Sequence, residues 1–339
     1  MNNRKFFLAL FAVIAIVCLF FFLSSSKGGQ EAYLHNEGTI FGTLYHAKYL
    51  HDNDLKEEIE AELQKVDASL SMFNPQSTIS KINRNETDKT DEMLSEVLSL
   101  SYTVNKATNG AFDPTVAPLV NAWGFGFKNG KLPDSTQVDS LRALVGLAGI
   151  HLQGNKLSKD NSLSILDFSA IAKGYGVDRA AQVLRSHNIE NFMVEIGGEV
   201  VTEGINEKGE PWRIGINKPD DDSTSTNTEL QDVVALSGKA IATSGNYRNF
   251  YISEGRKIAH TINPKTGYPA QQDILSSTVL APTCAEADGF ATAFMVLGLE
   301  GAKQVLQNQP QLEAYFIYSD AKGNYQTWCT EGFKRLILE

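Results

Sequence analysis

The chain has 339 residues, 42% hydrophobic and 21% charged, with no repeat at a solenoid or propeller period and no long low-complexity tract. That composition excludes a repeat array and leaves one large elaborated domain or two closely packed ones. The formal net charge is −10, and Arg4, Lys5 and Lys27 are the only charged residues among the first thirty, so the remainder carries 27 basic against 40 acidic residues. Such a surface disfavours non-specific binding to nucleic acid or anionic lipid. A phosphate-ester ligand would need its charge met locally, by a metal, an amide nest or a few cations.

Residues 6–23 are eighteen uncharged, overwhelmingly apolar positions behind Arg4 and Lys5. At helical rise they come close to crossing the hydrocarbon layer, with the basic flank in the cytoplasm and the body exported. A cleaved secretory signal is the main rival, but the run exceeds the usual length and no A-x-A site follows. A lipoprotein site at Cys18 is weaker still, because Val17 precedes it. We therefore expect an uncleaved anchor over 1–23, a flexible linker over 24–33 and a folded body over 34–339. Cys284 and Cys329 are the remaining cysteines; a disulfide is open to them outside the cytoplasm, and two buried free thiols is the plainer expectation.

Along the body, 37–49 reads as a strand with Gly38 and Gly42 as close-approach points. Leu55, Ile59, Leu63, Val66 and Leu70 recur at helical spacing and predict an amphipathic helix over 54–70. A second helix covers 90–108. Asp113-Pro114 reads as an N-cap followed by proline at the first helical position, starting a short helix toward Trp123. Residues 135–148 read as helix and 163–167 as a strand running into the helix SAIAKGYGVDRAAQVLRSHN. NFMVEIGGEVVTEG is strand, glycine turn, strand, and KPDDDSTSTNTELQ an exposed loop between two strands. In APTCAEADGFATAFMVLG, Thr283 and Glu286 stand at capping-box spacing before an apolar helix. Without strict βαβ alternation the fold class is α+β: mixed, largely antiparallel sheets with packed helices, in a single elaborated domain.

Four segments could carry chemistry, and each has a plain alternative. Asp288 and Thr292, four apart on one helix, put a carboxylate and a hydroxyl on a single face. Both are hard oxygen ligands suited to Mg²⁺; equally, Asp288 could complement the helix dipole and Thr292 back-bond to the preceding turn. Asp167 at the end of an apolar run, with Lys173 among small residues and Gly174 and Gly176 beside it, could face a ligand or serve as a glycine-requiring turn. Phe112, Asp113, Trp123, Phe125 and Phe127 offer a stacking surface for a flat heteroaromatic ring, or simply core and cap. Ser244, Tyr247, Arg248, His260, Asn263 and Lys265 share one neighbourhood, where His260 could act as general base or phosphate contact and 263–267 as a tight turn. No P-loop, Rossmann G-x-G-x-x-G, G-x-S-x-G, H-E-x-x-H or C-x-x-C is present.

Taken in order, FGT at 41–43, SMFNPQSTISKIN, GAFDPTVAPLVNAWGFG, LDFSAIAKGYGVD, VEIGGEV, ATSGNYRNF, HTINPKTGYP and CAEADGFATAFMVLG resemble the ApbE family of FAD:protein FMN transferases across nearly the whole exported region. The resemblance implies an FAD cleft lined by Phe41, Phe73, Ala111, Phe112, Asp113, Asp167, Lys173 and Ile262. It implies Mg²⁺ between the Asp288 carboxylate, the Thr292 hydroxyl and the backbone oxygen of Ala170. It departs from the family at Phe41, often methionine, and at Phe73, often tyrosine; both substitutes stay bulky and apolar, but position 73 loses a phenolic hydrogen bond. The implied reaction moves FMN from FAD onto a threonine hydroxyl of an acceptor protein and releases AMP; beside it, we expect His260 to assist proton removal or hold a phosphate. Implied acceptors are flavin-carrying subunits of RNF or sodium-pumping NADH:quinone type redox complexes, met at the periplasmic face of the cytoplasmic membrane. Hydrolysis of FAD to FMN and AMP at the same site, and a flavin-binding protein without turnover, are the competing expectations.

Overall fold

The computed structural model describes residues 32–126, 132–219, 229–246, 250–253 and 256–338. The expected anchor at 1–23 and nearly all of the linker lie outside these residues, as do Phe127, Tyr247, Arg248 and the middle of the 218–231 loop. Among the described residues no helix is long and apolar enough to cross a membrane.

The chain opens with the hairpin β1 (Tyr33–Ile40) and β2 (Thr43–Leu50), then α1 (Lys56–Leu70), α2 (Thr78–Asn83), α3 (Glu92–Ala107), α4 (Ala117–Ala122) and α5 (Ser135–Arg142). A small hairpin, β3 (Ile150–Gln153) and β4 (Lys156–Lys159), precedes α6 (Ala172–Ser186). Next come β5 (Phe192–Ile196), β6 (Glu199–Glu203), β7 (Trp212–Asn217), β8 (Leu230–Leu236), β9 (Lys239–Gly245), β10 (Phe250–Ser253), β11 (Arg256–Ala259) and β12 (Ile274–Ala281). The chain closes with α7 (Cys284–Gln307), β13 (Glu313–Ser319), β14 (Tyr325–Cys329) and α8 (Glu331–Lys334).

Eight strands form one sheet in the order β1-β2-β5-β6-β9-β12-β13-β14, and every registered pair in it is antiparallel. The three two-stranded sheets, β3–β4, β7–β8 and β10–β11, are antiparallel too. The fold is therefore α+β as expected, with no parallel pair among the described strands. β12 lies inside the sheet and is buried at seven of its eight positions, so its run ILSSTVLA does not alternate as a half-exposed strand would. The largest core joins the apolar faces of α3 and α7 to β12 and β13 through Val97, Val104, Phe290, Phe294 and Phe316. A second core joins α1 and α6 to β2 and β5.

Several local expectations need correction. The strand expected over 37–49 is a two-residue hairpin, and Tyr33, assigned to the linker, opens β1. Phe41 (φ 52°) and Gly42 (φ 76°) both lie in the left-handed region, the requirement of a primed hairpin turn. Phenylalanine is no turn residue; it is held there by its ring, which fills the notch at Gly176 of α6, where a Cβ would sit 2.5 Å from the ring. Residues 163–167 form no strand: 163 lies in a turn and 164–167 have no regular secondary structure. The Asn83 side chain donates to the Leu166 carbonyl (2.8 Å) and accepts from its amide (2.9 Å), taking the bonds a neighbouring strand would make. Asp113 does not cap a helix: α4 starts at Ala117 with Pro118 in its first turn. The Asp113 carboxylate instead accepts from the Thr115 amide (2.8 Å) and the Leu147 amide (3.1 Å), pinning two loops together. The helix expected over 135–148 ends at Arg142 and is followed by a separate short turn at Leu147–Gly149.

α7 is two rods rather than one. Gly298 breaks it with φ 71° and ψ 177°, and Asp273 Oδ1 accepts the Leu299 amide at 2.9 Å to cap the second rod. Cys284 and Cys329 are free thiols.

Candidate active site

The site begins where α6 meets α7. A Cβ on Gly174 would stand 2.3 Å from the Cys284 carbonyl oxygen, so this glycine lets the two helices touch through their backbones. Four residues on, the Asp178 carboxylate accepts the Cys284 amide (2.8 Å) and the Ala285 amide (2.9 Å). It satisfies donors that the first turn of α7 leaves open, alongside Thr283, which accepts the Glu286 amide as its spacing predicts (3.2 Å). Burial pushes the Asp178 carboxyl up to about 6, against the pull of those two amides.

This docking positions Asp288. It is 3% exposed, and its Oδ2 accepts the Gly174 amide at 3.1 Å. In a regular helix start that amide would close on the Ala170 carbonyl. Diverted to Asp288, it leaves the Ala170 oxygen without a backbone donor among the described residues. Thr292 follows one turn after Asp288, with its hydroxyl 3.1 Å from that of Ser244 on β9. A carboxylate, a hydroxyl and an unspent carbonyl thus border the same space, all hard oxygen donors.

That space is a cavity of about 430 Å³, within the range of small-molecule sites. Of the twelve residues expected to hold FAD, hold Mg²⁺ or move a proton, ten line it: Ala111, Phe112, Asp113, Asp167, Ala170, Lys173, His260, Ile262, Asp288 and Thr292. Phe41 and Phe73 are not among its lining residues. The Phe41 ring is occupied against Gly176, and Phe73 is 76% exposed in the turn between α1 and α2. His260 belongs to a wall of the cavity in which it stands edge-on to Phe125, with ring centroids 6.2 Å apart. The wall is braced by Trp123, whose indole N–H donates to the Gly267 carbonyl at 2.8 Å.

The lining also includes Glu199, at the start of β6, which sequence reasoning passed over. Its signal was an acid directly before an apolar run, in the turn Gly197-Gly198-Glu199-Val200-Val201. Glu199 is 2% exposed and pairs with Lys173; its second carboxylate oxygen has no hydrogen-bond partner among the described residues. Burial drives the Glu199 carboxyl up to about 7, with Lys173 opposing and Asp288 reinforcing. For Lys173, burial pulls its pKa down but Asp288 and Glu199 outweigh it, so the group stays an ammonium. Burial likewise raises the carboxyls of Asp288, Asp167 and Asp113. Four carboxyl groups therefore face the cavity against one ammonium among the described lining residues. An enclosure of that charge favours a cation before any anion can enter.

Comparison with known proteins agrees with this architecture. Residues 41–316 match the family model described as ApbE family. A Haemophilus influenzae protein named FAD:protein FMN transferase is 40% identical over 316 residues, covering 88% of this chain and 90% of the relative. A Vibrio cholerae protein of the same name is 35% identical, covering 96% and 98% respectively. The solved structure of the flavin transferase ApbE from Vibrio cholerae superposes with a TM-score of 0.81 at 34% identity, over 90% of this chain and 99% of that one. On the family match and on identity at this coverage, the chain belongs to the ApbE family.

Proposed function

We propose that this chain is a Mg²⁺-dependent FAD:protein FMN transferase. The observation that carries the reading is the charge of the cavity: an enclosure rich in carboxyl groups accepts a dinucleotide diphosphate only together with a cation, and Asp288, Thr292 and Ala170 present oxygen donors for one. The names of the relatives supply the reaction class. Held by those three residues, Mg²⁺ would neutralise the diphosphate and stabilise the departing AMP. Lys173, fixed by Glu199, adds a positive charge at the same end of the cavity. Phe112 and Ile262 supply apolar surface for the flavin ring. The acceptor threonine oxygen bonds to the FMN phosphorus as the bond to the AMP oxygen breaks. His260 takes the proton that the hydroxyl gives up.

Incubating the full chain with FAD, Mg²⁺ and a flavin-carrying subunit of an RNF or sodium-pumping NADH:quinone type complex should add the mass of one FMN to that subunit, retained after denaturation. Free FMN and AMP with an unmodified subunit would identify a hydrolase instead. In the same assay His260→Ala should lower the rate by about 10²-fold; wild-type turnover would remove the histidine from the mechanism.

We further propose that the chain works tethered to the cytoplasmic membrane with its catalytic domain outside. The support is the apolar run at 6–23 behind Arg4 and Lys5. The full chain should resist carbonate extraction and be cleaved by protease added to spheroplasts; release by carbonate, or protection from protease, would refute this placement.

A further inference from the structure

On the first hairpin, outside the lining of the cavity, His35 and Glu37 are two apart on β1 and so share one face, and Glu37 pairs in register with His46 on β2. His35, Glu37 and His46 each bring one potential ligand atom within 4.8 Å of the other two. The two imidazole rings lie 5.7 Å apart, tilted by 31°. His46 Nδ1 faces Glu37 Oε2 at 3.7 Å, while its Nε2 faces Glu195 Oε2 of β5 at 4.0 Å. Glu195 is itself fixed, because its other oxygen accepts the Gly198 amide at 2.6 Å.

We propose that His35, Glu37 and His46 bind a first-row transition-metal cation of the Zn²⁺ type, with Glu195 orienting His46 from behind. Two imidazoles and one carboxylate are a borderline donor set, suited to zinc, copper, nickel or iron(II) and poorly suited to Mg²⁺. Zinc bonds of about 2.0–2.2 Å place neighbouring tetrahedral donors roughly 3.4 Å apart, so the site closes by side-chain rotation of about an ångström on a paired backbone. The two faces of the His46 ring divide the work. One nitrogen turns to the metal, and the other, 4.0 Å from Glu195 Oε2, closes on that carboxylate to donate to it, the arrangement that fixes the tautomer of a ligating histidine. Three protein ligands leave a fourth position for water.

The test titrates Zn²⁺ into the full chain against a chromogenic chelator, with Mg²⁺ in excess to occupy the hard oxygen donors of the cavity. One zinc equivalent is expected in the wild-type chain and in Asp288→Ala. His46→Ala should lose it, and Glu195→Gln should bind at least about 10-fold more weakly. Copper(II) resonance spectra of the wild-type chain should show coupling to two nitrogens, and those of His35→Ala to one. Wild-type zinc affinity in His46→Ala, loss of the equivalent in Asp288→Ala alone, or copper spectra without nitrogen coupling would each overturn the site. His46→Gln, which keeps a polar strand residue, serves if the alanine variant folds poorly, and the copper spectrum of the unaltered chain decides independently.

Discussion

Asp288→Asn should lower Mg²⁺-dependent flavin transfer by about 10³-fold, the loss of roughly 4 kcal/mol of transition-state stabilisation. Asparagine keeps an oxygen that can accept the Gly174 amide, now at 3.1 Å, so the α6–α7 contact survives while the anionic ligand disappears. Asp288→Ala removes both and adds an unsatisfied buried amide, costing about 1–3 kcal/mol. The pair of variants separates metal from scaffold: Mg²⁺ should raise the melting temperature of the wild-type chain and leave both variants unmoved. Because burial raises the Asp288 pKa, protons compete with the ion, and Mg²⁺ affinity should weaken as pH falls. Undiminished transfer by Asp288→Asn would dissociate this carboxylate from the chemistry.

Gly174→Ala should destabilise the protein strongly for a single added methyl. Alanine in a helix interior is favoured over glycine by up to about 1 kcal/mol. Here the added carbon would lie 2.3 Å from the Cys284 carbonyl oxygen, 2.6 Å from its carbon and 2.8 Å from the Ala285 nitrogen. These are backbone atoms that no rotamer change can clear, so overpacking prevails by about 3 kcal/mol. Separating the helices also draws the Gly174 amide from Asp288 and the Asp178 carboxylate from the start of α7. Activity should therefore fall further than stability alone explains at temperatures where the variant is folded. Denaturant unfolding and transfer rates check the two effects; a stability within about 0.5 kcal/mol of wild type would show that the backbones can move apart freely.

How much of this was readable beforehand depended on whether a residue's neighbours were local. The start of α7 was legible because Thr283, Glu286, Asp288 and Thr292 follow helical spacing, which fixes capping and shared faces within a few residues. The spacing could not disclose that the partner of Asp288 is an amide 114 positions earlier. Phe41 was misread for the same reason. Its left-handed turn is imposed by a notch at Gly176; Gly42 supplies the glycine of a primed hairpin, but Phe41 stands where Asn or Asp is usual. The segment ending at Asp167 had a strand's composition, yet Leu166 bonds the Asn83 side chain and the Asp167 amide donates to the Pro114 carbonyl, so no neighbouring strand is needed. Glu199 escaped notice because an acid beside a Gly-Gly turn ordinarily faces water; only the packed sheet makes it a buried partner of Lys173.

The break at Gly298 bears on which parts of α7 open together. Because Asp273 supplies the second rod with its own cap, the segment beyond Leu299 can fray and re-form without drawing on hydrogen bonds of the segment that carries Asp288 and Thr292. Amide exchange near Gln307 then reports a local excursion, while exchange around Asp288 follows opening of the whole domain. The end of α7 can fluctuate without the ligand-bearing turns losing their register.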